Sequence, residues 1–240
     1  YPPGPYDFVG VDPTGEKFKA FYPSHVRLIP DFFTVKKFRE VMGDRKAKIV
    51  TSIAMFYDLE NPLDFARGIS DTLADDGVWV FEQSYLPAML DQISYDTICH
   101  EHLEYYSLHQ LKWITDRADL KIIDIEFTAA NGGSICLTAA KKSSRYDECS
   151  ARIDTTLQSE IDRQLFTLEP YEDFVREVQR HRNELVALVQ AIKASGKTVF
   201  GYGASTKGNV ILQYCNFTPE DIPCIAEVNE DKFGAFAPGT

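Results

Sequence analysis

The sequence predicts an α/β fold built on a doubly wound, mostly parallel sheet, and three observations carry that expectation. Short apolar runs alternate with stretches of helical apolar spacing up to about residue 140. Residues 48–53 are continuous and β-branched, in the manner of a strand buried on both faces. The expected strand ends carry Asp12, Asp31, residues 52–57 and residues 82–85, polar groups at the edge where such sheets bind ligands.

Residues 9–12 form the first expected strand, ending on Asp12, and residues 26–29 a second that stops at Pro30-Asp31. Thr34 stands where an N-cap belongs, before a helix over 35–42. The 48–53 strand follows. Pro62 then opens a helix to Leu73, with Leu63, Phe65, Ala66, Ile69 and Leu73 at helical spacing. Asp75-Asp76-Gly77 predicts a turn into a strand over 78–82. Beyond a His-rich loop, 108–118 reads as a helix, and 120–127 and 135–140 as a strand pair joined by the turn Asn131-Gly132-Gly133. From about 147 to 194 the chain is charged and helical, with Pro170 opening a second long helix. Residues 197–200 begin a new strand, a glycine turn spans 201–208, a helix follows over 209–214, and a strand over 223–226 leads to Glu227.

A formal net charge of -11 argues against the broad basic surface that nucleic-acid binding needs. No apolar run reaches membrane-spanning length, and nothing at the start resembles a signal peptide. The five cysteines are odd in number, widely spaced and free of any Cys-x-x-Cys, which predicts reduced thiols in a cytoplasmic protein rather than a disulfide framework. The chain opens on Tyr1 and closes on the turn formers Pro238-Gly239-Thr240, so a piece of a longer protein is expected. The sequence leaves the oligomeric state open.

The chemistry concentrates in residues 95–106, where His100 and His102 bracket Glu101 and Tyr95, Tyr105 and Tyr106 flank them. A histidine works near neutral pH, and a neighbouring carboxylate can orient it and stabilise its charged form. That equipment removes protons from carbon or oxygen. A metal on His100, Glu101 and His102 would need a further ligand from His109, Cys99 or His181, and no metal is expected there. The glycine turn 201–208 reads two ways. It can present helix-start amides, Ser205 and Lys207 to an anion, or it can simply pack helix on strand. Thr206 stands where a dinucleotide fingerprint has its third glycine.

The runs Phe81-Glu82-Gln83-Ser84-Tyr85-Leu86-Pro87, Tyr95-Asp96-Thr97-Ile98-Cys99-His100-Glu101-His102 and Asn131-Gly132-Gly133-Ser134 resemble the nucleotide-sugar C-methyltransferases. Residues 201–208 and 232–240 resemble that family's carboxyl-terminal domain. The resemblance implies transferases of deoxysugar biosynthesis that use S-adenosyl-L-methionine (SAM) to methylate a ring carbon of a keto-deoxyhexose carried on a nucleoside diphosphate. It implies a Rossmann-like class I SAM methyltransferase sheet over 1–143, a helical connector over 144–196 and the start of a second Rossmann-like, nucleotide-sugar-binding domain over 197–240. The family's full form adds an amino-terminal zinc domain, with the first strand and glycine-rich loop of the SAM fold, so these and the zinc are expected upstream of Tyr1.

Residue by residue, the resemblance implies that Asp12 accepts the ribose hydroxyls of SAM, while Asp31 and Phe32 bracket its adenine. It makes His102 the base, with Glu101 orienting a ring or stabilising charge and His100 the alternative base. Tyr95, Asn131, Ser205 and Lys207 are the expected substrate contacts. Two departures stand out. Cys99 occupies a place where the family often has Tyr, and residues 52–56 hold no His where the family often has one. Tyr95, Tyr105 or Tyr106 is then left to supply the hydroxyl. Two further readings stay open: an NAD(P)-dependent nucleotide-sugar oxidoreductase using the 201–208 turn, and a non-catalytic nucleotide-sugar-binding remnant.

Overall fold

The computed structural model describes residues 2–238. The strands in chain order are β1 (Phe8–Val11), β2 (Val26–Ile29), β3 (Ala47–Ile53), β4 (Leu73–Ser84), β5 (Leu120–Thr128), β6 (Ser134–Lys141), β7 (Gly201–Tyr202) and β8 (Ile225–Ala226). The helices are α1 (Val35–Met42), α2 (Pro62–Thr72), α3 (Leu86–Asp91), α4 (Leu108–Arg117), α5 (Ser150–Asp162), α6 (Glu169–Ala194) and α7 (Thr206–Tyr214). Two compact units result. The first takes the chain up to Gln83 with Leu108–Phe127 and Ile135–Asp154; the second takes Ser84–Ser107, Thr128–Ser134 and the chain from Thr155 onward.

In the first unit β1 runs parallel to β2, from Phe8↔Val26 to Val11↔Ile29, and β3, β4, β6 and β5 form a four-stranded sheet in that order. β3 and β4 are parallel, as a doubly wound sheet requires. Thr34 caps α1 by accepting from the Lys37 N–H at 3.2 Å. Asn61 caps α2 in the same way, and Pro62 sits in the first turn, where its missing N–H costs nothing. Each cap is worth about 1 kcal/mol.

Along β4 the side chains of Trp79 and Phe81 point to the buried face. Their rings stack at 3.9 Å between centroids, with Phe56 edge-on to Trp79 at 5.6 Å. The Trp79 indole donates to Ser52 Oγ at 3.1 Å, so its burial leaves no orphan N–H. Each such side chain contributes about 1.5–3 kcal/mol by leaving water.

Two expectations fail in this unit. β3 is not buried on both faces: Ile49 is 68% and Ile53 54% exposed, and among the described residues the strand stands at the outer end of its sheet, beside β4. A β-branched run satisfies strand preference with or without burial, so composition cannot separate the two cases. Asp75-Asp76-Gly77, expected to precede the strand, lies inside β4, where pairing moves from Ala47↔Leu73 to Ile49↔Val78. The surplus residues form a bulge, and Gly77 is required there because a Cβ would meet the Ala47 carbonyl oxygen at 2.6 Å.

In the second unit α6 runs for 26 residues from a start that includes Pro170. Val189 of α6 packs with Cys215 and Phe217 after α7, with Leu185, Ile211 and Ile222 around them. The strand expected at 197–200 is shifted: β7 covers Gly201–Tyr202 and pairs in parallel with β8. α7 begins at Thr206 rather than Asn209 because Ser205 caps it, accepting from the Gly208 N–H at 3.0 Å. Among the described residues no helix is long and apolar enough to cross a membrane.

Candidate active site

Within the second unit, the segment after β4 leaves and returns at one point. Tyr85 and Tyr106 form an isolated bridge, and the Leu86 N–H donates to the Tyr106 carbonyl at 2.8 Å. Between them α3 leads to a 3-10 turn over Tyr95–Thr97, then to a tight turn in which the His102 N–H reaches the Cys99 carbonyl at 3.2 Å. His100, Glu101 and His102 ride on that turn. The backbone turns here instead of extending, so these three side chains do not alternate between two faces as on a strand.

His102 is half-buried, with Nδ1 2.8 Å from the Thr97 carbonyl oxygen. A carbonyl can only accept, so Nδ1 carries the proton and Nε2 is the basic nitrogen of the neutral ring. The Tyr105 hydroxyl donates to the same carbonyl at 3.3 Å, and burial pushes that phenol up, keeping it protonated. His100 is set differently. Its side chain is 91% exposed, with Nε2 3.9 Å from Glu101 Oε1. The Cys99 thiol beside Glu101 holds that carboxyl below its usual range, with His100 adding to the effect. Burial in turn pushes the Cys99 thiol up. Glu101 therefore pairs with Cys99 and His100, while a main-chain oxygen orients His102.

Tyr95 is buried, with its hydroxyl 3.1 Å from His181 Nδ1 on α6 and its ring 5.4 Å from that of Tyr214 on α7. Burial, followed by the Cys215 thiol, pushes this phenol up to about 12. A hydroxyl committed in this way anchors the turn to α6 and α7. Asn131 lies on an exposed turn in the left-handed region, φ 52°, followed by Gly132 and Gly133. Gly133, at φ 110°, is seated so tightly on α3 that a Cβ would meet the Ala88 Cβ at 2.5 Å.

The glycine turn is already partly occupied by its own chain. The Ala204 N–H donates to Glu227 Oε2 at 2.8 Å, and Lys232 Nζ donates to the Ala204 carbonyl at 2.6 Å. Glu227 also accepts from the Val228 and Asn229 N–H groups, and these amides hold its carboxyl down at about 2. Ser205 spends an oxygen lone pair on capping α7, and its O–H stays available to donate. Lys207 stands in the first turn of α7, where among the described residues no carboxylate pairs with it.

In the first unit, Asp12 follows β1 and receives three hydrogen bonds. The Thr14 N–H and hydroxyl both reach Oδ1 at 2.8 Å, and the Tyr22 hydroxyl reaches Oδ2 at 2.7 Å. These donors, Tyr22 first, lower its pKa and keep it ionised. Asp31 follows β2, accepts from the Phe32 N–H at 2.7 Å and pairs with Lys37, which is the main reason its pKa is lowered. The Phe32 ring is 70% exposed.

Sequence reasoning missed three groups. The Thr97 carbonyl has no residue signature. Glu160 is fully buried, accepting from the Tyr85 hydroxyl at 2.8 Å and Ser107 Oγ at 2.9 Å. Its signal was present: Ile153, Leu157 and Glu160 share helical spacing, so a carboxylate sits on the apolar stripe of α5. Gln83 is buried with both amide atoms lacking a partner among the described residues, a rare state in a folded protein. Among the described residues, no three His, Cys, Asp or Glu side chains gather as a metal site.

Residues 3–125 match the methyltransferase domain family, and residues 129–240 match the C-methyltransferase C-terminal domain family. The C-methyltransferase NovU of Streptomyces niveus is 30% identical over 233 residues, covering 97% of this chain and 55% of NovU. The chain thus spans about half the length of that curated relative. LepI in complex with SAM aligns at TM-score 0.48 and 15% identity, over 59% of this chain and 38% of LepI. A SAM-dependent methyltransferase from Clostridium acetobutylicum aligns at 0.41 and 14%, over 57% and 75%. Neither structural alignment bears on function.

Proposed function

We propose, from the premise that this chain belongs to the SAM-dependent methyltransferase-domain family, that it methylates a ring carbon of a keto-deoxyhexose carried on a nucleoside diphosphate. The match of residues 129–240 and the likeness to NovU support carbon as the methylated atom. The nicotinamide reading gains nothing from either match.

The observation that carries the reading is the fixed tautomer of His102. A C–H next to a ketone yields its proton only to a base held close. With Nδ1–H tied to the Thr97 carbonyl, the lone pair of the ring lies on Nε2, which takes that proton. The Nδ1–H···O=C bond strengthens as the ring becomes cationic, so the Thr97 carbonyl supports the charged form. Glu101, kept ionised beside Cys99, adds negative potential to the same turn. Asn131, Ser205 and Lys207 contact the nucleotide-sugar, and Lys207 gives a local positive charge in a chain of net charge -11. Tyr95 holds the turn in place instead of touching the sugar.

SAM, when bound, supplies the methyl group to the carbon nucleophile. The residues of the first unit fit it. Of the four lone-pair directions of the Asp12 carboxylate, Thr14 takes two and Tyr22 one, which leaves one on Oδ2. The exposed Thr14 hydroxyl can rotate away and release a second, enough for both ribose hydroxyls. The Phe32 ring offers a face to adenine, with the Asp31 carboxylate beside it to accept from the amino group. On this reading residues 1–143 bind SAM, 144–196 connect, and 197–240 bind the nucleotide part of the substrate, in the cytoplasm.

Methyl transfer from SAM to a thymidine-diphosphate keto-deoxyhexose, with SAM affinity followed by calorimetry, tests the reading. His102→Asn should lower the rate about a hundredfold to ten-thousandfold with SAM affinity kept, and His100→Asn should cost less. The reverse order would move the base to His100. Full activity in both variants would sink the reading.

A further inference from the structure

Glu160 takes no part in the chemistry above, yet its burial is complete. It lies on the core-facing stripe of α5, where a leucine or methionine would pack at least as well. Replacing buried ionic groups by hydrocarbon of similar volume is often neutral or stabilising, so stability alone is a weak reason for a carboxylate there. Its two oxygens do something hydrocarbon cannot. Oε1 accepts from Tyr85 and Oε2 from Ser107, two residues far apart in sequence that flank the outgoing and returning ends of one segment. The same ends meet through the Tyr85–Tyr106 bridge. Just past α5, Arg163 Nη1 reaches Asp91 Oδ1 at 2.7 Å and so holds the end of α3. Burial and the neighbouring carboxylate push the Tyr85 phenol up, so it remains a donor.

Everything between those ends is the segment that carries Thr97, His100, Glu101 and His102. We propose that Glu160 is a positioning residue for methyl transfer: by clasping the Tyr85 and Ser107 hydroxyls it closes the mouth of the 85–107 segment and fixes where His102 is presented. This rests on the assignment of His102 as base. Ser107 and Tyr85 are the two arms of the clasp, and loss of either removes one of the two side-chain ties that Glu160 makes to the segment ends.

The test uses the full chain with SAM and a thymidine-diphosphate keto-deoxyhexose, and compares Glu160→Gln, Ser107→Ala and His102→Asn. Ser107→Ala removes a single hydroxyl and keeps the variant set informative if Glu160→Gln fails to fold. In Ser107→Ala, and in Glu160→Gln where it folds, kcat per folded molecule should fall about tenfold to a hundredfold, the scale of a base displaced by about an ångström. KM for SAM should stay within about twofold. Amide exchange over residues 96–105 should quicken while that of β3 and β4 is unchanged. A kcat per folded molecule equal to the parent's in Ser107→Ala, or a loss carried by KM alone, would overturn the clasp. The two ideas fail separately. A fully active His102→Asn removes the base assignment, whereas an inactive His102→Asn beside a normal Ser107→Ala removes only Glu160's role.

Discussion

The two turns of the second unit that invite a chemical role are built on opposite plans. The His102 turn is held from behind. Its orienting bond goes to the Thr97 carbonyl and its neighbours are anchored through Tyr95, so Nε2 is the basic nitrogen of the ring. The glycine turn is held from the front. Glu227 takes the Ala204 amide that a ligand phosphate would want, and Lys232 takes the Ala204 carbonyl. A motif made of side chains can therefore keep its function visible while its supports stay hidden. A motif made of backbone amides can lose capacity to its own chain without any change in its sequence signature.

Three measurements would break or sharpen that contrast. The largest effect should come from the support of the first turn. Gly133→Ala places a Cβ 2.5 Å from the Ala88 Cβ at φ 110°, and should destabilise by about 1–3 kcal/mol or more in a thermal melt. An unchanged melting temperature would mean that α3 and this turn do not press on each other. Next in size, Lys207→Ala should raise KM for the nucleotide-sugar by about tenfold, as expected for one charge-assisted contact, and leave SAM affinity alone. If KM does not move, the glycine turn serves packing only. The smallest effect concerns acid. Glu227 has its pKa depressed from 4.5 to about 2, so the stability it contributes is present above 4.5 and is lost as pH falls through about 2. Glu227→Gln should therefore flatten the stability-versus-pH curve in that window, read by circular dichroism. Parallel curves for the variant and the parent would show that the amide contacts of Glu227 add nothing to stability in solution.

Much of the fold was legible because its signals are local. Thr34 before residues 35–42 and Pro62 at the start of α2 gave their helices correctly, since helix starts depend on residues within the first turn. Residues 26–29 gave β2 to the residue. The failures are those that depend on neighbours distant in sequence. The exposure of β3 depends on what covers it, and the bulge in β4 on how it pairs with Ala47. At the site, His100, Glu101 and His102 were recognisable as a cluster, yet the group that orients the His102 ring was not, because it is a carbonyl oxygen. Tyr95 was expected to contact substrate, and its hydrogen bond with His181 was not legible because it depends on α6 arriving from far along the chain.

The packing around Trp79 has a practical consequence for spectroscopy. The chain has two tryptophans, Trp79 and Trp113, and both belong to the first unit. Trp79 is enclosed by aromatic rings, whereas Trp113 lies at the surface with the Arg117 guanidinium 3.9 Å from its ring. Indole emission therefore reports on the first unit alone, from one sheltered and one quencher-accessible fluorophore. The second unit, with α6 as its longest helix, is silent in that channel and speaks through its helical dichroism. In one denaturation, indole emission then follows the unit that carries Asp12, while helical dichroism adds the helices of the unit that carries His102 to those of the first.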